Sequence, residues 1–284
     1  MRGASIVVAT YNRGTILGRV LEAMLDQDYE GDYEVIVVDD GSTDDTVEVA
    51  KRYPVRFFSQ KHRGPAAARN LAIKKARHSV VVVMDDDCIP EKGWLRALMR
   101  GFDEKVGIVS SFSIYGGTST AYLKKAVEQA GYFDENFPFE YREDTDLVFR
   151  IQDLGYEIRL VSDAGFAHVH SAPRGLMGKA RYALRRVWVH HIDPFLYKKH
   201  PSRTREFLDI RYGFLRNPLK DFQVATGTWK GGGEMSLSSP QGLVLIENRT
   251  PIHGLLIVLG GVFYVLCVKL ARLYGSIKYG KLLI

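Results

Sequence analysis

The sequence predicts an α/β fold, a mostly parallel sheet with helices on both faces, followed by a basic and then an apolar tail. Three observations point there. Short β-branched runs alternate with stretches of helical periodicity through the first half, the pattern of strands buried on both faces by crossover helices. Several runs end in polar or acidic residues, as at the carboxyl edge of an open sheet, where ligands bind. The 284 residues are 46% hydrophobic and 25% charged, which supports a full core and excludes disorder.

Taken in order, residues 5–9 read as a buried strand and 15–25 as a helix. Residues 34–38 form a second strand, and a helix follows over about 44–52 with Ser42 or Thr43 as its cap. Residues 55–58 make a third strand. Pro65, suited to a first helical turn, opens a helix that runs to about Arg77. Residues 79–84 are a fourth strand, nearly all β-branched. From Trp94 to Tyr132 the order is helix, strand, Gly-Gly turn, helix. Residues 143–154 are a further helix ending near Gly155, and 158–161 and 165–169 are short strands. The character changes beyond Ala172, so the expected division is 1–172, 173–250 and 251–284.

The chemistry gathers at strand ends. Thr10-Tyr11-Asn12-Arg13, Asp39-Asp40-Gly41-Ser42 and Asp85-Asp86-Asp87 each follow a strand. Turn and cap preferences explain single Asp, Asn or Ser residues, but not two and three adjacent acids. Neighbouring carboxylates repel unless a cation sits among them. Such acids suit hard ions, Mg²⁺ or Mn²⁺, bound together with substrate phosphates. Asp40 is placed to accept hydrogen bonds from a base or ribose. In Arg63-Gly64-Pro65, continuing to Arg69-Asn70, a helix N-terminus favours an anion, and Arg63 or Arg69 adds phosphate contacts; a solvated Ala-rich helix is the alternative. Asp146 and Arg150 form an i,i+4 pair, whereas Asp144, beside Glu143, is a candidate general base. His168 and His170 share one strand face and serve either as metal ligands or as structural histidines.

In that order and near that spacing, residues 5–12, 37–46, 64–70, 84–87, 131–135 and 143–147 resemble glycosyltransferase family 2. The resemblance implies a GT-A, Rossmann-like sheet in residues 1–172 that binds a nucleotide-sugar donor, GDP-mannose or a UDP-hexose. It implies that Asp39 and Asp40 bind the nucleotide, with Thr10 and Tyr11 beside the base and Arg13 and Asp86 in the donor-binding set. Asp85 and Asp87 match the metal motif, Asp87 as the direct ligand. His168 matches the metal-binding histidine best, with His170 as fallback, and Mn²⁺ or Mg²⁺ is the expected ion. Asp144 falls on the usual base of inverting members, next to Glu143. Ala9 replaces a frequent proline, and the stretch from Pro90 to Gly116 is short, so acceptor-side loops are expected to be reduced. A sugar nucleotidyltransferase would carry a Gly-rich loop after the first strand, which residues 10–14 lack. A non-enzymatic nucleotide-binding scaffold is the rival outside enzymes, and polyprenyl phosphate is the rival acceptor.

The net charge of +6 is uneven, with basic excess between Arg174 and Lys220 and between Lys269 and Lys281. That distribution suits anionic lipid or nucleic acid; an anionic membrane surface is the expected partner and nucleic acid is not. Residues 176–195 project as a basic amphipathic helix. Leu176, Leu184, Trp188 and Phe195 lie on one arc, and Lys179, Arg181, Arg185 and Arg186 on the other. Residues 254–268 carry no charge, but about 15 residues make roughly 22 Å of helix against a hydrocarbon core of ~30 Å. A single span and a re-entrant helix both remain open. Two scattered cysteines, Cys88 and Cys267, fit a reducing compartment, and no signal peptide is expected before Ser5. The expectation is a catalytic domain on the cytoplasmic face of the cell membrane, acting on a lipid or lipid-linked acceptor.

Overall fold

The computed structural model describes residues 2–138, 141–169, 175–226 and 251–284, and the chain divides into two compact units, Met1–Ser171 and Ala172–Ile284. The first unit opens with β1 (Ala4–Thr10), α1 (Gly14–Leu25), β2 (Tyr33–Asp39), α2 (Thr46–Ala50), β3 (Arg56–Ser59), α3 (Pro65–Lys75) and β4 (Val80–Val83). It continues through β5 (Cys88–Pro90), α4 (Trp94–Arg100), β6 (Val106–Ser110), β7 (Thr120–Leu123), α5 (Lys124–Ala130), α6 (Glu143–Asp153), β8 (Glu157–Leu160) and β9 (Phe166–His168). Seven strands form one sheet in the order β3-β2-β1-β4-β7-β6-β8. The pairs β1–β2, β2–β3, β1–β4 and β6–β8 are parallel.

Ile6, Val7 and Val8, Ile36, Val37 and Val38, and all of Val80, Val81, Val82 and Val83 are buried. Each such side chain contributes about 1.5–3 kcal/mol on leaving water, and β-branching suits the pleated surface. The chain moves outward from β1 to β3 and then returns to place β4 on the other side of β1. The crevice between the carboxyl ends of β1 and β4 is therefore the topological switch point, where open α/β sheets bind ligands.

Two local expectations are corrected. Thr120–Leu123 is a strand, antiparallel to both β4 and β6, rather than part of a Gly-Gly turn leading into a helix. Ser42 and Thr43 do not cap α2: the Ser42 hydroxyl accepts from the Asn12 amide, and Asp44 instead accepts from the Thr46 amide at 3.1 Å.

The second unit contains α7 (Gly175–Trp188), a 3₁₀ turn (Val189–Ile192), α8 (Asp193–Lys199), α9 (Pro201–Leu208), β10 (Ile210–Arg211), β11 (Leu215–Arg216), α10 (Pro218–Thr226) and α11 (Pro251–Tyr279). The single amphipathic helix expected over 176–195 is thus broken after Trp188. Asp193 and Pro194 restart it as α8 because Asp193 is drawn inward, where its carboxylate accepts from Arg272 Nε at 3.0 Å. Leu184 and Trp188 on the expected apolar arc are exposed.

α11 is also longer than the uncharged run. It continues past Lys269 because Arg272, fully buried, finds partners on other helices. Arg272 donates to Asp221 through Nη1 at 2.6 Å and Nη2 at 3.1 Å, a bidentate pair, and Arg216 adds a second contact to Asp221 at 3.0 Å. The inner face of α11 carries Tyr264, Val268, Ala271, Arg272 and Ser276, all buried. Its outer face exposes Leu259, Phe263, Leu266, Leu270, Leu273 and Ile277 at helical spacing. Among the described residues one segment, Val258–Tyr279, is long and apolar enough to cross a membrane, although 39% of that window is buried inside protein.

His190 borders this network, with Nδ1 3.2 Å from Asp193 and Nε2 3.3 Å from the Tyr264 hydroxyl. Burial pushes its pKa down to about 4, against the pull of Asp193, with Arg272 and Arg216 adding to the fall. The unfolded chain therefore binds this proton first. Stability attributable to neutral His190 is complete above pH 6.5 and is lost as pH falls from there through about 4. At about 1.4 kcal/mol for each unit of displaced pKa, the ceiling is roughly 3–4 kcal/mol. Urea melts followed by circular dichroism should show this slope, and His190→Gln should flatten it. An equal slope in the variant would remove His190 as its source.

Candidate active site

The polar segments that follow β1, β2 and β4 meet at the switch point. Asp39, at the end of β2, accepts from the Gly41 and Ser42 amides and from Ser59 Oγ. Gly41 adopts φ +81°, and a Cβ there would sit 2.9 Å from the His62 backbone nitrogen, so the turn requires glycine. Asp40 is buried, and both its oxygens are engaged: Oδ1 accepts from Gln60 Nε2 and the Arg63 amide, and Oδ2 from the Gly64 amide. His62 Nδ1 lies 2.9 Å from the same carboxylate. Asp40 thus organises the 60–64 loop at the rim of the switch point. One product is an exposed flat platform: Tyr11 stacks on His62 with ring centroids 4.3 Å apart. Neither His62 nor Gln60 was singled out in the sequence, because their bond to Asp40 spans about twenty residues and has no local signature.

The three acids after β4 have three different environments. Arg13 Nε contacts Asp86 at 3.1 Å, and Arg13 Nη2 contacts Asp87 at 3.4 Å, tying the β1 loop to the β4 loop. Burial pushes Asp86 up to about 7, Arg13 opposes this, and the charges of Asp87 and Asp85 reinforce it. Thr10, beside it on β1, is buried. Asp87 Oδ1 lies 3.0 Å from His168 Nε2, which holds that imidazole above its usual pKa although burial opposes the rise. His168 is brought there by pairing of β5 with β9. His170 lies outside the described residues. Asp87, Cys88 and His168 offer donor atoms that all lie within 4.8 Å of one another. That oxygen, nitrogen and sulfur set fits a divalent cation, and Asp85 stands outside it.

Asp85, partly exposed, also pairs with an arginine in an ion cluster that reaches α6. Arg69, on α3, donates to Asp85 at 3.0 Å and to Glu143 at 2.8 Å, with Asp144 at 3.9 Å. Its guanidinium lies 5.8 Å from the Phe133 ring. Arg69 is 5% exposed and links the acids that follow β4 to the start of α6. Arg63, by contrast, is exposed and pairs with Glu135 at 2.7 Å. α6 begins after Arg142, whose φ of +75° turns the chain sharply into the helix. Glu143 is 1% exposed, whereas the Asp144 side chain is 21% exposed. Gly116 (φ +84°) makes room for it: a Cβ there would meet Asp144 Cβ at 2.9 Å. Asp146 pairs with Arg150 as the spacing predicts.

A mostly parallel sheet with acids collected at its switch point is the arrangement in which α/β proteins bind ligands at the carboxyl edge. The chain belongs to glycosyl transferase family 2, whose model matches residues 5–157. Chondroitin synthase of Escherichia coli is 24% identical over 69% of this chain, which spans only 39% of that relative's length. Among solved structures, the mannosyltransferase PcManGT from Pyrobaculum calidifontis, in complex with GDP-Man and Mn²⁺, superposes with a TM-score of 0.61. That match has 20% identity and covers 97% of this chain and 86% of that one. S. aureus TarS 1–349 in complex with UDP-GlcNAc gives a TM-score of 0.51 at 20% identity, covering 72% of this chain and 74% of that one. At such identities the structural matches establish the GT-A fold.

Proposed function

We propose that this chain is a metal-dependent, inverting glycosyltransferase that moves a sugar from a nucleotide-sugar to a lipid or lipid-linked acceptor at the cytosolic membrane face. The observation that carries the reading is the convergence of Asp87 with His168, and of Asp85 with Glu143 and Asp144 through Arg69. Asp87 and His168 would hold Mn²⁺ or Mg²⁺. Bound there, the ion would neutralise charge on the departing diphosphate. The Tyr11–His62 face supports a stacked base, and the Asp39 and Asp40 turns hold its walls in place. Asp144 accepts the proton of the attacking hydroxyl, and Arg69 fixes the two acids that flank it. Relatives of the fold in complex with GDP-Man and with UDP-GlcNAc support a nucleotide-sugar donor and leave its base open between GDP-mannose and a UDP-hexose. The exposed apolar face of α11 supports membrane attachment of a 173–284 region that follows a catalytic domain of 1–172.

Incubation with labelled GDP-mannose or UDP-hexoses, Mn²⁺ and either extracted lipids or soluble sugars tests this. Transfer to lipid that stops with a chelator is expected; metal-independent transfer, or transfer confined to soluble sugars, would count against it. Asp87→Ala should abolish Mn²⁺-dependent nucleotide binding with the fold intact. Unchanged metal-dependent affinity by calorimetry would remove Asp87 from the metal site.

A further inference from the structure

We propose that Cys88 is a third protein ligand of the metal site, making it an oxygen, nitrogen and sulfur site that takes Zn²⁺ and Co²⁺ ahead of Mn²⁺ and Mg²⁺. This rests on the reading of Asp87 and His168 as ligands and goes beyond it in the donor set and the ion.

The backbone puts the sulfur there. β5 and β9 pair antiparallel with Cys88 directly opposite His168, and directly opposed residues project their side chains to the same face of the ladder. Asp87 Oδ1 lies 3.0 Å from His168 Nε2 and 3.8 Å from Cys88 Sγ. All three donor atoms fall within 4.8 Å of one another. Around a tetrahedral ion with bonds of about 2.0–2.3 Å, donor atoms stand roughly 3.3–3.8 Å apart. The set therefore needs to contract by about 1–1.5 Å across a pair at the 4.8 Å limit.

The surroundings of the sulfur are also those of a ligand. Thr118 Oγ1 lies 3.5 Å from Cys88 Sγ and 3.3 Å from Met84 Sδ, either of which can take its proton, and it accepts from the Asp85 amide at 3.1 Å. A hydroxyl fixed by the metal-motif backbone and aimed at sulfur is outer-shell support for a thiolate. Cys88 is fully buried as part of the hydrophobic core, and the Asp87 carboxylate and His168 imidazole also lie within reach of its sulfur.

On binding, the sulfur–metal bond forms as the thiol proton leaves to solvent. One thiolate, one carboxylate and a neutral imidazole then balance the charge of a divalent ion. Thiolate selects softer borderline ions over Mn²⁺ and Mg²⁺. Three protein ligands leave the fourth tetrahedral position open for an oxygen of the donor diphosphate.

The test uses the full chain, freed of metal with a chelator and titrated with Co²⁺ while absorption and heat are followed together. A near-ultraviolet thiolate-to-cobalt charge-transfer band should grow to saturation, with the visible bands of tetrahedral cobalt, and Zn²⁺ should displace both. Cys267→Ser should keep the band and Cys88→Ser should lose it. Zn²⁺ affinity should fall at least about tenfold in Cys88→Ser, since loss of a mere outer-shell partner already costs 10–100-fold. Mn²⁺ affinity should change little. Heat of Co²⁺ binding to the wild-type chain without the band would overturn sulfur ligation and leave the Asp87–His168 site standing. This reading needs no variant to fold. No Co²⁺ binding at all would overturn both.

Discussion

Asp144→Asn should keep donor binding and lose transfer by about 10²–10⁴-fold, the usual worth of a general base. Of the two adjacent acids, burial decides which can reach a substrate. Glu143 is closed in against Arg69 at 1% exposure, and the Asp144 side chain, at 21%, opens from the first turn of α6 towards the space left by Gly116. The amide keeps the shape and cannot take a proton. Initial rates alongside nucleotide calorimetry would separate chemistry from binding. Near-normal turnover with intact binding would remove Asp144 as base and point to an acceptor already ionised, such as a polyprenyl phosphate.

Arg69→Met should destabilise the first unit by about 3–5 kcal/mol, the cost of leaving a buried charge without its partner. Glu143 would lose its 2.8 Å donor and Asp85 its 3.0 Å donor, and three carboxylates would then face one another. Because the damage is uncompensated charge rather than lost volume, Arg69→Met with Glu143→Gln should recover much of it. Denaturant melts of the two variants decide the matter. A single variant as stable as the parent would show that the cluster does not hold α3 to α6.

The strands β1, β2 and β4 were legible because full burial favours runs of β-branched residues, as in Val80 to Val83, whereas β3 (Arg56–Ser59) is only partly buried and aromatic. β7 was not: Thr120–Leu123 is four residues long, and its antiparallel place between β4 and β6 depends on partners far along the chain. At the site, sequence pattern located the acids but not their partners. Arg69 and Arg63 look alike in the sequence, yet one is buried between Asp85 and Glu143 and the other is exposed beside Glu135. The sequence likewise gives no sign that Gln60, His62 and Gly64 gather around Asp40. In α11, counting apolar residues stopped at Lys269. Composition cannot show that Arg272 has carboxylates waiting on α8 and α10.

Beyond residue 157, where the family model ends, Arg272 offers a way to trace the second unit through divergent descendants. One guanidinium serves Asp193 and Asp221, 79 and 51 residues away. Its planar fork, rather than charge alone, meets both, so lysine is no substitute. Losing any one of the three leaves a buried charge with fewer partners, with Arg216 still beside Asp221 and His190 still beside Asp193. Lineages are therefore expected to inherit the three as a single character or to replace them together with apolar residues. Correlated drift at these positions would identify the unit even after ordinary sequence likeness has faded.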